Sequence, residues 1–138
     1  MAKNRLKIKG RSESGRFLKM YHQVLKNPDY INLTSKSKAM LIDIAMQYNG
    51  KNNGNLSAAL GVMRKRGWKR GATLCAGIKE LIEANLIIRT REGRFLNPGG
   101  RCALYAITWE PIDDCFGKDL EVKATIKAPR SFCKNKVK

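Results

Sequence analysis

The stretch ATLCAGIKELIEANLIIRT, residues 72–90, decides the fold because its apolar period changes partway along. Up to Asn85 the apolar residues recur every three or four positions, which is the spacing of one helix face. The buried stripe of this helix is predicted to be Leu74, Ile78, Leu81 and Ile82. After Asn85 the β-branched residues Ile87 and Ile88 favour a strand. The stretch therefore predicts a helix over residues 72–85 that leads directly into a β-strand.

A loop and a second strand follow. The loop REGRFLNPGGR, residues 91–101, is rich in Gly, Asn and Pro, which favour turns. The segment CALYAITW, residues 102–109, then alternates between two sets of side chains, as a strand does. The two predicted faces are Leu104, Ala106 and Thr108 on one side and Tyr105, Ile107 and Trp109 on the other. Together these segments predict a β-hairpin with a basic loop.

The sequence before residue 72 predicts three more helices. They lie in GRFLKMYHQVLKNPDY (residues 15–30), LTSKSKAMLIDIAMQYNG (residues 33–50) and SAALGVMRKRG (residues 57–67). Pro28 is predicted to stop the first of them. Between the second and third, NGKNNGNL (residues 49–56) is dense in Asn and Gly and predicts a turn. Ser57 is the predicted cap of the third helix, which Gly61 weakens.

The predicted order is three helices, a short turn, a fourth helix, a strand, a basic loop and a strand. This is the order of a winged helix-turn-helix, so we expect a mainly α fold with a small β-hairpin in residues 17–116. A basic N-terminal arm, residues 1–16, and a basic C-terminal tail, residues 117–138, flank this domain. Both ends are poor in aromatic residues, which predicts that they are mobile in the free protein.

The charge of the chain indicates a polyanionic partner. It has 138 residues, with 28 Lys and Arg against 11 Asp and Glu, a formal net charge of +17 and a pI of about 10.1. Nucleic acid is the commonest polyanion that such a chain binds. An anionic membrane is the competing interpretation, but no apolar run approaches the roughly 20 residues of a spanning helix. The first residues also lack the apolar stretch of a secretion signal.

The basic residues surround the helix that would enter the DNA major groove. Five of them fall within residues 64–70, immediately before helix 72–85, and the loop 91–101 would act as the wing. The predicted DNA-contacting residues are Arg64, Lys65, Arg66, Lys69, Arg70, Thr73, Lys79, Arg91, Arg94 and Arg101. Because basic residues also favour helix C-termini, an alternative is that residues 64–70 only face solvent. We prefer phosphate contact, since the wing and both ends have the same sign of charge.

The sequence gives no sign of catalysis, a metal or a cofactor. The four cysteines are Cys75, Cys102, Cys115 and Cys133. No two are close enough for a metal-binding pair, and His22 is the only histidine, so we expect reduced thiols and no metal site. Asp113 and Asp114 are the only adjacent carboxylates and are interpreted as part of a polar linker. Trp68 is expected to anchor the core rather than stack on a base.

Four segments resemble the small winged-helix proteins of proteobacterial prophages and integrative elements. These segments are NPDYINLTSKSKAMLIDIAMQYNGKNNGNL (residues 27–56), MRKRGWKR (residues 63–70), ELIEANLIIRTREG (residues 80–93) and CALYAITWEPID (residues 102–113). More distantly, the chain is similar to the winged-helix domains of plasmid and phage replication initiators. The resemblance covers residues 17–116 and implies fold and genetic setting more than activity. Asn85 stands where such domains usually have Gly, and Asn can adopt the same left-handed conformation.

We therefore expect a DNA-binding protein of a phage or mobile element, most simply a transcriptional regulator. Its partner would be double-stranded DNA in the bacterial cytoplasm, in association with the nucleoid. One alternative is a replication accessory or initiator protein. Another is a protein that uses the winged helix to bind and inhibit a host or rival complex, and RNA binding is less favoured. The sequence leaves homodimerisation and a protein partner open.

Overall fold

A computed structural model describes residues 15–94 and 100–132. Within these residues the helices are α1 (His22–Leu25), α2 (Pro28–Ile31), α3 (Ser35–Ala45), α4 (Leu60–Arg64) and α5 (Gly71–Glu83). The strands are β1 (Leu56–Ser57), β2 (Ile87–Arg91) and β3 (Leu104–Ile107), and they form an antiparallel sheet in the order β1-β3-β2. Helices with a small antiparallel hairpin agree with the sequence prediction, and β1 is an additional strand.

The first predicted helix ends before Pro28, as expected, but is limited to α1, and α2 is an additional turn of helix that begins at Pro28. Asn27 has an extended backbone between α1 and α2, and its side chain accepts a hydrogen bond of 2.8 Å from the Asp29 amide. Pro28 then occupies the first position of α2. Proline disfavours a helical conformation of the residue before it and is well tolerated at a helix start, so the chain restarts here.

The third predicted helix begins later than expected, because Ser57 belongs to β1. Leu56 and Ser57 pair with Tyr105 and Leu104 of β3, and α4 starts only at Leu60. The Gln47 side chain acts as a further strand partner. Its amide donates to the Ser57 carbonyl at 2.7 Å, and its oxygen accepts from the Ser57 amide at 2.9 Å.

The core lies between α3, α5 and the inner face of the sheet. Three of the four stripe residues predicted on α5 are buried and Ile82 is half-buried. Gly77 of α5 faces Met40 of α3, and a Cβ atom built at Gly77 would lie 2.4 Å from Met40 Cε. The missing side chain therefore allows α3 and α5 to approach closely, which fixes how α5 sits on the domain.

The outer face of the sheet is covered by the residues after β3. Both faces of β3 are buried, and residues 110–132, here called the C-terminal segment, hydrogen-bond to the domain through main-chain groups. The amides of Glu121 and Arg130 donate to the carbonyls of Thr90 and Thr108, at 2.7 and 3.0 Å. This differs from the predicted mobile tail over residues 117–132. Residues 133–138 and most of the predicted arm, residues 1–14, lie outside the described residues.

Asn53 connects the predicted turn to the C-terminal segment. Its side chain is fully buried, donates to the carbonyls of Ile107, Glu110 and Pro111, and accepts from the Ile107 amide. Its own amide donates to the Asp113 carboxylate at 2.8 Å. Asn53 is thus a buried junction between the turn and the C-terminal segment, to which Asp113 contributes a hydrogen bond. Across residues 15–94 and 100–132, no helix has the length and apolar character required to cross a membrane.

Candidate nucleic-acid interface

Helix α5 presents one face to solvent and ends as predicted. Asn85 has a positive φ of 59°, and the Leu86 amide donates to the Leu81 carbonyl at 3.1 Å, which closes the helix with a left-handed turn. The exposed residues of the helix are Gly71, Ala72, Cys75, Ala76, Lys79 and Glu83. Short side chains on this face leave the helix accessible to close approach by a large partner. Thr73, also predicted to contact DNA, is half-buried.

The basic turn before α5 is fixed by one carboxylate. Asp43 of α3 accepts a hydrogen bond of 2.7 Å from the Trp68 indole, and its other oxygen lies 3.2 Å from Arg66 Nη2. Trp68 also packs against the core, as predicted. Gly67, with a φ of 95°, supplies the left-handed position that the turn needs. Asp43 therefore holds the chain between α4 and α5 in a single geometry.

Four cations around this turn remain available for a partner. Arg64, Lys65, Lys69 and Arg70 are exposed, and none forms an ion pair with an acidic residue in the described part of the chain. Arg66 differs, since its guanidinium is paired with Asp43. Four like charges on one short turn, without acidic neighbours to neutralise them, create a positive local potential.

The predicted wing arginines are not equivalent. Arg94 and Arg101 pair across the hairpin through main-chain hydrogen bonds of 2.8 and 2.9 Å, and Arg94 is exposed. The Arg101 guanidinium lies 2.9 Å from the Glu121 carboxylate of the C-terminal segment. Arg91 uses three nitrogens to bind the Cys102 and Lys118 carbonyls. Arg91 therefore holds the hairpin base to the C-terminal segment rather than pointing to a partner.

The structure brings α5 and the hairpin together at one groove. A cavity of about 660 Å³ is lined by Cys75 of α5 and by Arg94 and Arg101 of the hairpin. An adjoining cavity of about 480 Å³ is lined by Lys79 of α5 and Arg89 of β2. These adjoining cavities are here called the α5–hairpin groove. It joins four cationic side chains from three parts of the sequence.

Arg89 is a basic residue of this surface that the sequence analysis missed. It lies on the same face of β2 as Ile87, two residues away, and its guanidinium carbon is 5.6 Å from the centre of the Tyr105 ring. The alternation of strand residues was the available signal, because Ile87 faces the core and α5 packs on that face. Arg89 also lies 3.6 Å from Glu92, an exposed pair of little energetic weight.

The described residues contain no group of three or more His, Cys, Asp or Glu side chains arranged to hold a metal ion. Burial, reinforced by the charges of Asp113 and Asp114, raises the pKa of the Cys115 thiol. A thiol with a raised pKa is a poor nucleophile at neutral pH.

The chain matches no protein-family model, no curated protein and no solved structure. The resemblance to phage winged-helix proteins stays a prediction. The α5–hairpin groove is therefore a candidate nucleic-acid interface on the basis of its geometry and charge alone.

Proposed function

We propose that this protein is a winged helix-turn-helix DNA-binding protein of a phage or mobile element that acts as a transcriptional regulator. The α5–hairpin groove carries the proposal. It unites the exposed face of a helix with the arginines of a hairpin, next to a turn that holds four unpaired cations. A duplex needs this combination, since one element enters the major groove while flanking cations contact phosphates.

The sheet topology supports the winged-helix assignment. The chain order is α3, β1, α4, α5, β2 and β3, and β1 lies beside β3 although the two are far apart in sequence. In a winged helix the strand between the first and second helices occupies this same place. α4 and α5 would then form the helix-turn-helix, with α5 as the recognition helix and residues 91–101 as the wing.

The composition of α5 favours affinity from phosphates over direct reading of bases. On its exposed face only Lys79 has a long donor, while Ala72, Cys75 and Ala76 offer at most apolar contact with a thymine methyl group. Phosphate contacts fix register but carry no sequence information directly. We therefore expect modest specificity for each bound site, with further discrimination from DNA shape or from two copies bound side by side.

Selection from a random duplex library at physiological salt with competitor DNA tests the proposal. A single enriched motif, above all a palindrome, is the expected result for a regulator. Tandem direct repeats would indicate origin binding instead. If no motif is enriched while binding persists at low salt, the +17 charge supplies only non-specific affinity and the regulator assignment fails.

A further inference from the structure

The α5–hairpin groove has the size and lining of a small-molecule site. Its two cavities, of about 480 and 660 Å³, share Ala58, Cys75 and Tyr105, so one continuous floor runs beneath both. Ligand pockets in proteins occupy about 300 to 1,000 Å³ and are mostly apolar with a few placed polar groups. Apolar side chains extend the floor at both ends. Leu60 lines the hairpin end, and Ile78 and Ile82 line the α5 end.

The charges around this floor select for an anion. Lys79 and Arg89 line one end, and Arg94 and Arg101 line the other. Among the lining residues Glu83 is the only acidic one. From outside the lining, Glu121 pairs with Arg101 and Glu92 lies near Arg89. Lys79 and Arg94 are therefore the cations of the groove without an ion pair in the described residues. A duplex contacts such a surface with its phosphates and has no large apolar group to place against the floor. The apolar floor therefore calls for a different occupant, one that combines a flat apolar body with a negative charge.

We propose that the α5–hairpin groove binds a small aromatic anion, such as an aromatic carboxylate or sulfonate, and that the bound anion excludes duplex DNA. The aromatic body lies over Ala58, Cys75 and Tyr105, which line both cavities, while its anionic group pairs with a cation at one end of the groove. The bound anion neutralises that cation and fills the space between α5 and the hairpin. The exclusion of DNA rests on the proposed function, whereas the binding of the anion does not.

The probe for the test is 8-anilinonaphthalene-1-sulfonate, whose fluorescence rises in apolar surroundings, and its uncharged counterpart is N-phenyl-1-naphthylamine. Full-length protein is titrated with each probe at constant ionic strength. Saturable binding of one sulfonate per chain is expected, about tenfold tighter than the uncharged probe. Ala58→Trp fills the shared floor and is expected to weaken sulfonate binding at least about tenfold. Circular dichroism verifies that each variant is folded.

A second variant tests the charge, so the proposal does not depend on Ala58→Trp alone. Lys79→Gln with Arg89→Gln removes both cations of one end and is expected to weaken sulfonate binding about fivefold or more. Its matched control is Lys51→Gln with Lys123→Gln, which changes the net charge equally at exposed positions outside the groove. Any one of three results would overturn the proposal. The two probes could bind equally well, or the two double variants could have equal effects. Ala58→Trp could also bind the sulfonate as tightly as the unaltered protein does.

DNA competition completes the test. Saturating sulfonate is expected to weaken duplex binding at least about fivefold in the unaltered protein and to have little effect on Ala58→Trp. If sulfonate binds as expected but no duplex binds at low salt, the proposed function fails and the ligand site stands. If duplex DNA binds and the sulfonate does not, the ligand site fails alone. Sulfonate that binds without changing DNA affinity would overturn the exclusion.

Discussion

The Arg101 guanidinium lies 2.9 Å from the Glu121 carboxylate, so a wing arginine is tied to the C-terminal segment. Glu121 is anchored in turn, because its amide donates to the Thr90 carbonyl of β2 at 2.7 Å. The pair has a structural role, since it joins the hairpin to the segment that covers the sheet. It also neutralises a cation on the proposed DNA surface. The C-terminal segment therefore influences how much positive charge the wing offers.

Removing the Glu121 charge is expected to strengthen DNA binding. In Glu121→Gln, Arg101 loses its ionic partner and becomes free to contact a phosphate. The gain is expected to be about twofold to fivefold in affinity, the range of a partly exposed ion pair. Fluorescence anisotropy with a labelled duplex measures it. Glu110→Gln removes one acidic charge that lines a separate cavity with Tyr48 and Asn49, outside the α5–hairpin groove, and serves as the control. An equal gain there would mean that net charge alone is responsible.

The Glu80 carboxylate is expected to make stability depend on acid pH. It accepts hydrogen bonds from the Ser37 hydroxyl and from the Thr34 amide and hydroxyl, and these bonds lower the pKa of Glu80 below its ordinary value. A lowered pKa in the folded state stabilises the protein above the unfolded pKa, and this contribution disappears as the pH falls through the folded pKa. The free energy of unfolding should therefore decline as the pH falls from about 5 toward 3.

Glu80→Gln isolates this contribution. We expect the variant to be less stable than the unaltered protein at pH 7 by about 1 kcal/mol, with the difference shrinking in acid. Urea unfolding at several pH values gives both numbers. Glu83 lies three residues further along α5, is exposed and makes no side-chain hydrogen bond among the described residues. Glu83→Gln is therefore the matched control. The same pH-dependent loss in both variants would contradict the role of Glu80.

Asn53 should be among the most sensitive positions for stability. Asn53→Ala removes a buried side chain that donates to three carbonyls and accepts from one amide, and leaves those groups without partners. The expected loss is about 3 kcal/mol or more, because each unsatisfied buried group costs about 1–3 kcal/mol. Asn55→Ala, in the same turn, makes no side-chain hydrogen bond among the described residues and should be nearly neutral by urea unfolding. If the two variants are equally stable, the hydrogen bonds of the Asn53 side chain do not stabilise the fold as proposed.

The regular elements could be predicted because their signals are local. The stripe on α5 and the alternation in β3 can be read within one turn or one strand. Even the left-handed Asn85 follows from its position after the helix. By contrast, β1 is only two residues long and exists because β3 pairs with it. No periodicity in so short a segment could have revealed the strand.

The contacts that escaped prediction depend on distant partners. The Asn53 side chain bonds to groups 54 to 58 residues away, so an Asn-rich turn gave no hint of burial. Arg130 of the presumed mobile tail binds the carbonyls of Ala84 and Asn85 and the Asp29 carboxylate. The sequence shows which side chains are polar or charged. Whether such a side chain faces solvent or binds a carbonyl depends on the folded structure.

Arg130 is expected to hold the C-terminal segment to the end of α5. Arg130→Ala removes charge-assisted hydrogen bonds to the Ala84 and Asn85 carbonyls, which directly follow that helix, and we expect a loss of about 1–3 kcal/mol. Hydrogen exchange should also become faster at the amides of residues 121 and 130, which bond to β2 and to the end of β3. Lys127→Ala removes an exposed charge in the same segment as a control. Unchanged exchange in Arg130→Ala would mean that other contacts hold the segment.

Basic residues without an ion pair should affect the salt dependence of DNA binding more than an arginine whose guanidinium is already hydrogen-bonded to main-chain carbonyls. Replacing Arg64, Lys65, Lys69 and Arg70 together by Gln removes four unpaired cations. If all four contact phosphates, the slope of log affinity against log salt should fall by about three to four units.

Arg91→Gln removes a cation whose nitrogens already bind main-chain carbonyls. It should change the slope by less than about one unit and instead lower the free energy of unfolding by about 1–3 kcal/mol. Titrations at four salt concentrations and urea unfolding separate the two effects. A slope unchanged by the quadruple variant would remove the turn before α5 from the DNA surface, and a large slope change in Arg91→Gln would show that its bonds to the Cys102 and Lys118 carbonyls yield to phosphate.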